Sequence, residues 1–375
     1  MIKIPEHVRK LQAYQTAKSI RELTHEKKLN RIVRLASNEN PHGPSPKAVA
    51  ALRQLGADLH RYVDPRSTEL VKAIAERYGR SPSQVMCAHG SDALLAYVIN
   101  AFTLEGDEIL TVDATFTGIF VNTNKQGRKV RLVPLTDYVI DLEVLAASVS
   151  TDTKIVYLAN PNNPTGTMFS QSRFEAFMDQ VPKEVLVILD EAYCAYASKH
   201  DGYPDGLQYS HENLIIARSL SKVYGLAGLR IGFAVGPEYL IDALYKVKLP
   251  FEPNQPAQVA AMAALADDEF LQRTIEVNEQ SLARFTTCFD RLEIPYVKTV
   301  ACFVLVLLPT EEVARLFFER CLDYGLIVRH AGSFGVANGI RISSGNKEDT
   351  EFAVDVIEKV WQEITASSCV TGCNK

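Results

Sequence analysis

KIVYLANPNNPTG at 154–166 and EVLVILDEAY at 184–193 decide the fold. Each is a run of β-branched and apolar residues without polar alternation that stops abruptly at Asn, Pro, Gly or an acid. A strand that is apolar on both faces needs cover on both faces, as a parallel strand flanked by helices has. The polar residues that follow then stand at the carboxyl end of the strand, where open α/β sheets gather ligands.

Helical-period segments and short apolar runs alternate on either side of this pair. Upstream, the spacing predicts helices at 46–55 and 67–78, strand 84–88, helix 92–103, strand 108–112, helix 116–126 and strand 130–134. Around and beyond the pair it predicts strand 154–159, helix 171–180, strands 185–190, 213–218 and 231–235, and helix 237–247. After PFEPNQP at 250–256, helices 256–267 and 269–291 lead to strand 300–308, helix 310–324, strands 326–329 and 339–343, and helix 347–365. The expected architecture is α/β. A large domain at 46–250 has a mostly parallel central sheet covered by helices, and a smaller α+β domain follows at 251–375. Residues 1–45 form an N-terminal arm, weakly helical over 6–30, that ends in the turn-rich NENPHGPSP at 38–46 and packs on the small domain and active site.

The 375 residues exceed what one core usually serves, and 47% hydrophobic with 23% charged residues is ordinary for a globular chain. A net charge of -5 gives no electrostatic footprint for a nucleic-acid backbone. The longest apolar run, VACFVLVLL at 300–308, is too short to span a bilayer. Neither nucleic acid nor membrane is expected as a partner. The N-terminus lacks the apolar stretch of an export signal. The cysteines (87, 194, 288, 302, 321, 369 and 373) show no Cys-x-x-Cys spacing, which reads as reduced thiols in a cytoplasm with no metal site. Cys369 and Cys373 fall in a polar tail and read as residues of a frayed end.

Four segments after expected strands carry candidate chemistry: HGSD at 89–92, ANPNNPTG at 159–166, DEAY at 190–193 and SLSKVYGLAGLR at 219–230. Gly90, Ser91 and Asp92 lie between a strand and a helix, where free amides make an anion cradle, although a plain N-cap has the same composition. Lys222, among small residues with Ser219 and Ser221 before it and Arg230 after it, is an imine-forming nucleophile if desolvated and a surface amine if not. Asp190 ends a buried strand, where an unpaired carboxylate is costly, so a cationic partner is expected.

The order and spacing of VRKLQAYQ, LASNENPHGPSP, HGSD, NPNNPTG, DEAY, SKVYGLAGLRIG, IVRH and GIRISSG resemble those of fold-type I aminotransferases dependent on pyridoxal 5′-phosphate (PLP), of the histidinol-phosphate aminotransferase group. The resemblance covers nearly the whole chain. It implies that Lys222 forms the internal Schiff base with the cofactor and later shuttles the substrate proton, and that Asp190 pairs with the pyridine nitrogen. Asn163 and Tyr193 would bond the ring 3′ oxygen, and Phe116 would stack on the ring where many relatives have Tyr. The amides around Gly90 and Ser91, the hydroxyls of Ser219 and Ser221, and Arg230 would hold the phosphate, with Asp92 beside them. Tyr62, followed here by Val63 rather than the usual Pro, would reach the phosphate of a neighbouring subunit, which implies a homodimer with shared active sites. Arg341 and Arg329 would grip the anionic end of the substrate, and Tyr14 would close over its side chain; as a packing residue Tyr14 fits equally well.

Ala93, Cys302 and Asn346 depart from common family residues without touching the cofactor chemistry. The implied reaction is transamination between L-histidinol phosphate, as amino donor, and the 2-oxo acid 2-oxoglutarate. An aromatic amino-acid aminotransferase, a phosphothreonine decarboxylase and a non-catalytic PLP-sensing module remain as alternatives.

Overall fold

The computed structural model describes residues 2–11, 27, 29–56 and 58–372. Its strands are β1 (Val33–Arg34), β2 (Val85–Ala88), β3 (Glu108–Val112), β4 (Lys129–Val133), β5 (Thr153–Ala159), β6 (Leu186–Asp190), β7 (Leu214–Ser219), β8 (Gly232–Val235), β9 (Tyr296–Val297), β10 (Phe303–Leu307), β11 (Leu326–Ile327), β12 (Arg329–His330) and β13 (Gly339–Ser343). β2 to β8 form one sheet in the order β2-β8-β7-β6-β5-β3-β4. β8 runs antiparallel to both neighbours, and every other pairing is parallel.

The unbroken apolar runs are sorted by the two-residue period of a strand. Val156 and Leu158 of β5, Val187 and Leu189 of β6, and Leu214 and Ile216 of β7 enter one core. Ile155 and Tyr157, Leu186 and Ile188, and Ile215 and Ala217 enter the other. The first face is covered by helices Thr68–Arg77, Gln171–Gln180 and Gln255–Leu265, the second by Gly90–Phe102 and Glu238–Val247. Arg131 and Leu132 of β4, at the sheet edge, are exposed, a charged and broken pattern suited to an unpaired strand.

β8 is antiparallel because the chain returns from β7 directly, without a crossover helix. Ser219 pairs with Gly232, and the Leu220 amide donates to the Ile231 carbonyl at 3.1 Å. The whole 220–231 loop, with Lys222 and Arg230, is therefore held at the carboxyl edge of β7.

A second, antiparallel sheet has the order β12-β13-β10-β9. Its core includes Phe285, Phe289, Val304, Phe317, Ile340, Ile342 and Ile357. The chain after residue 29 joins it: β1 pairs in parallel with β11, and the Ser343 amide donates to the Leu35 carbonyl at 2.9 Å.

Several element boundaries differ from expectation for local reasons. The helix after β2 begins at Gly90, so Gly90, Ser91 and Asp92 are its first turn and not a linker before it. Leu142–Ala147 is a short helix capped by Asp141, whose carboxylate accepts from the Glu143 and Val144 amides; at little more than one turn it has no readable period. The expected strand 326–329 is broken at Val328, with β11 serving β1 and β12 serving β13. The final helix is Lys347–Gly372, longer than expected. Helix Gln255–Leu265 packs on Pro46–Gln54 and puts Ala257, Ala260, Ala261 and Ala264 into the large sheet's core, which thus continues past residue 250. Tyr14 and Cys373 lie outside the described residues. Among the described residues, no helix is long and apolar enough to cross a membrane.

Burial on both faces of β5 predicts a sharp contrast between two leucines. Leu158→Ala, at a fully buried site, should destabilise the fold by about 2–5 kcal/mol. Leu132→Ala, at a half-exposed edge position, should stay within about 0.5 kcal/mol. Guanidinium unfolding midpoints of the two variants check this; equal shifts would contradict the sheet order.

Candidate active site

The carboxyl ends of β2, β5, β6 and β7 lie at one edge of the sheet and carry the four motifs. Asp190 is the last residue of β6 and is buried. Its Oδ2 accepts from the Tyr157 hydroxyl at 2.8 Å and its Oδ1 from the Ala192 amide at 3.1 Å. Burial pushes its pKa up to about 6 despite these donors, and Asp92 and Glu191 add to the rise. The cationic partner that its burial calls for is not among the described residues; both donors found are neutral. The cation instead serves the next residue. Glu191 binds Arg218 through the guanidinium Nε at 2.9 Å and Nη2 at 2.7 Å, and the Gly206 amide at 2.7 Å. This buried ion pair, joined by Asp205, fixes the turn that follows β6.

Tyr193, three residues on, is buried, and its hydroxyl accepts from Asn38 Nδ2 at 2.8 Å. Asn38 is held in turn by Ser343, whose hydroxyl donates to Asn38 Oδ1 at 2.7 Å. Lys222 Nζ lies 5.8 Å from the centroid of the Tyr193 ring and 3.5 Å from the Ser37 carbonyl, to which it donates. Burial and the guanidiniums of Arg341 and Arg230 lower its pKa, against an opposing effect of Cys302. A lysine so placed keeps more of its amine neutral and nucleophilic than a surface lysine does.

The loop bearing Lys222 is clasped by the turn-rich 38–46 segment. Asn40 Nδ2 donates to the Val223 carbonyl at 2.8 Å. Gly225 has φ +69°, and a Cβ there would fall 2.1 Å from the Gly43 carbonyl oxygen, so only glycine fits.

Arg230, whose charge helps lower the Lys222 pKa, organises one cluster of residues. Arg230, with φ +54°, is held in the left-handed region at a cost of about 1–2 kcal/mol, and this turns its side chain across the start of helix Gly90–Phe102. Its Nη1 donates to the Ser221 hydroxyl at 3.4 Å, and its Nη2 is 3.9 Å from Asp92 Oδ2. A Cβ on Gly90, whose φ is +80°, would meet Arg230 Nη2 at 2.7 Å. The Ser219 hydroxyl accepts from the Ser221 amide at 3.1 Å. Gly232 lets β8 approach the Ser91 amide, which would stand 3.1 Å from a Cβ there, and Gly118 makes room for Asp92 Oδ1 and the Phe116 ring, both of which would lie within 2.6 Å of its Cβ. Gly90, Ser91, Asp92, Phe116, Ser219, Ser221 and Arg230 are thus neighbours.

Arg341 of β13 is buried, with Nη2 donating to the Ala36 carbonyl at 2.7 Å and Nη1 to Asn163 Oδ1. Among the described residues its buried Nε has no partner, and its guanidinium lies 5.3 Å from the Phe303 ring centroid and 5.1 Å from that of Phe334. Burial and Arg329 lower its pKa. Arg329 is its cross-strand partner and donates to the Ser333 hydroxyl at 3.4 Å.

Tyr62 is not gathered in. It is 84% exposed and stacks on Phe251 with centroids 4.3 Å apart. Tyr157, Asn38, Ser343 and the Glu191–Arg218 pair escaped the reading of the sequence. Tyr157 did carry a signal: a hydroxyl inside an apolar strand must find a partner when buried. Asn38 carried only the turn character of its segment.

A sequence model of the family described as aminotransferase class I and II matches residues 30–357. The chain is 38% identical to histidinol-phosphate aminotransferase 2 of Hydrogenovibrio crunogenus, over 94% of this chain and 95% of that one. It is 39% identical to the histidinol-phosphate aminotransferase of Brevibacillus brevis, over 92% and 95%. Among solved structures, the histidinol-phosphate aminotransferase of Sinorhizobium meliloti in complex with pyridoxal 5′-phosphate superposes with a TM-score of 0.90 at 28% identity, covering 97% of this chain and 99% of that one. A half-buried lysine whose pKa is lowered by desolvation and by two arginines, in a sheet of this order, agrees with that match over most of the chain's length: the chain belongs to the aminotransferase class I and II family.

Proposed function

We propose that the protein is a PLP-dependent aminotransferase acting on L-histidinol phosphate and 2-oxoglutarate. The observation that carries the reading is the setting of Lys222, with Arg230 and Arg341 both close enough to depress its amine. One arginine suits the anion of a cofactor and the other the anion of a substrate.

The residues fit the cofactor. Asp190 is a buried carboxylate with only neutral donors, complementary to a protonated ring nitrogen. The Gly90–Arg230 contact leaves no room for a side chain where a phosphate would meet backbone amides. When bound, pyridoxal phosphate supplies a reactive carbonyl carbon and a ring that draws electrons from the substrate α-carbon. Lys222 would hold that carbonyl carbon and would carry the proton to and from the α-carbon. Asp190 would keep the ring nitrogen protonated. Asn163 and Tyr193 would bond the ring oxygen, and Phe116 would cover the ring. Arg230, Ser219, Ser221 and the amides of Gly90 and Ser91 hold the phosphate, with Asp92 orienting Arg230. Arg341 and Arg329 receive the phosphate of one substrate and a carboxylate of the other, and Tyr14 closes over the substrate.

The relatives named as histidinol-phosphate aminotransferases, at 38% and 39% identity, support the donor. Residues 1–45 act as an arm, residues from 46 through helix Gln255–Leu265 as the cofactor-binding unit, and the remainder as the smaller one. We assign a homodimer in which the exposed Tyr62 reaches the partner's phosphate cradle. The described cysteines are free thiols, which suits a cytoplasmic protein.

Purified protein should be yellow, lose its visible band on borohydride reduction, and carry the label on Lys222. Histidinol phosphate should convert the cofactor to its amine form faster than phenylalanine, tyrosine, histidine or phosphothreonine does; a faster aromatic donor would replace the substrate assignment. Sedimentation should show a dimer, with cofactor retention weakened in Tyr62→Phe; a monomer that keeps its cofactor would remove the shared-site assignment. A further expectation concerns Asp190 in the cofactor-free protein. Its folded pKa, about 6, lies above the ordinary 3.8, so its favourable contribution is full at low pH and is lost as pH rises from about 4 to 6. Cofactor-free Asp190→Asn should therefore melt above the parent at pH 8 and converge with it near pH 4, while binding the cofactor more weakly. Thermal unfolding across that range, with and without cofactor, tests both halves.

A further inference from the structure

Tyr157 has no place in the machinery above, yet it is a fully buried phenol directed at that machinery's central carboxylate. It stands on β5 opposite Ile188, two residues before the Ala159–Asp190 pair, so its side chain and that of Asp190 share one face of the sheet. From that position the hydroxyl reaches along the strand to Oδ2, while the Ala192 amide takes Oδ1. The two donors pin the carboxylate from below and from its own turn, and each oxygen keeps a lone pair for a further donor.

We propose that Tyr157 is a positioning residue that acts through Asp190: its phenol fixes the carboxylate's orientation and keeps it ionised for the ring nitrogen. The proposal rests on the PLP reading of the site. The groups facing Asp190 make the need clear. Asp92, from helix Gly90–Phe102, and Glu191, in its own turn, both favour protonation, as does burial, whereas Tyr157 and the Ala192 amide oppose it. Tyr193 feels the same carboxylate from the next turn. The Tyr157 phenol is itself driven far above its ordinary pKa by burial and by Asp190, so it remains a donor throughout the working range. A hydrogen bond to a charged acceptor is among the stronger ones, and with it gone the carboxyl would titrate closer to neutral pH.

The test removes one oxygen atom. In Tyr157→Phe, cofactor-free protein should show its pH-dependent loss of stability at higher pH than the parent, and absorbance titration with pyridoxal phosphate should show weaker binding. In the loaded enzyme, kcat should fall about tenfold or more with KM little changed, and the acid limb of the kcat profile should move up. Adding Tyr157→Phe to Asp190→Asn should cost little beyond Asp190→Asn alone, because the phenol has lost the charge it serves. Replacing the phenol by its 3-fluoro analogue makes the donor more acidic and should move the acid limb down; it keeps the question open to measurement if the Phe variant folds poorly. Unchanged pH limbs in both variants, or full additivity with Asp190→Asn, would overturn the proposal. Native protein that takes up no pyridoxal phosphate would sink the underlying reading, whereas normal uptake with a response to Asp190→Asn alone would sink only the role of Tyr157.

Discussion

Two opposite charges are taken out of water without being paired to each other. Among the described residues, Asp190 ends a buried strand with only neutral donors around it, and Arg341 has a buried Nε with no partner. A buried ion lacking its counterion is costly, so a fold that keeps two such groups gives up stability at this place. The Lys222 amine, near Arg341, has its charge disfavoured by desolvation as well. Many of the surrounding hydrogen bonds hold these groups in place.

The scaffold achieves this with one topological device. Parallel strands put their carboxyl ends together, which places Asp190, Asn163 and the end of β7 side by side. Reversing β8 then keeps the following loop at that edge instead of carrying it across a helix. The smaller sheet contributes Arg341 from β13, and its link to Asn163 ties the two sheets at the site. The 38–46 segment closes the ring of contacts by binding both Tyr193 and the Lys222 loop.

Much of this was legible in the sequence because it rests on local chemistry. Strands buried on both faces must be apolar throughout, and a charged residue directly after such a run stands out, as Asp190 does. Lys222 and Arg230 were legible through their small-residue setting and the resemblance it supports. What escaped depends on pairing between segments far apart in the chain. Tyr157 looks like one more core aromatic until β5 and β6 are placed in register. Asn38 looks like a turn residue until Tyr193 is brought to it. Among the described residues no side-chain cation bonds Asp190, and Arg218 on β7 meets Glu191 in the turn beyond it. Tyr62 stacks on Phe251 and is otherwise exposed, so within one chain nothing in the site explains it.

The glycine-on-glycine contact between Gly225 and the Gly43 carbonyl has a kinetic meaning. With no space for even a methyl group there, the backbone under Lys222 is braced against the neighbouring loop and has little freedom to swing. Whatever distance the amine covers during a turnover must come from rotations within its own four-carbon stem. Such rotations take picoseconds to nanoseconds, against nanoseconds to microseconds for a loop. The brace thus lets the Lys222 side chain move without its backbone.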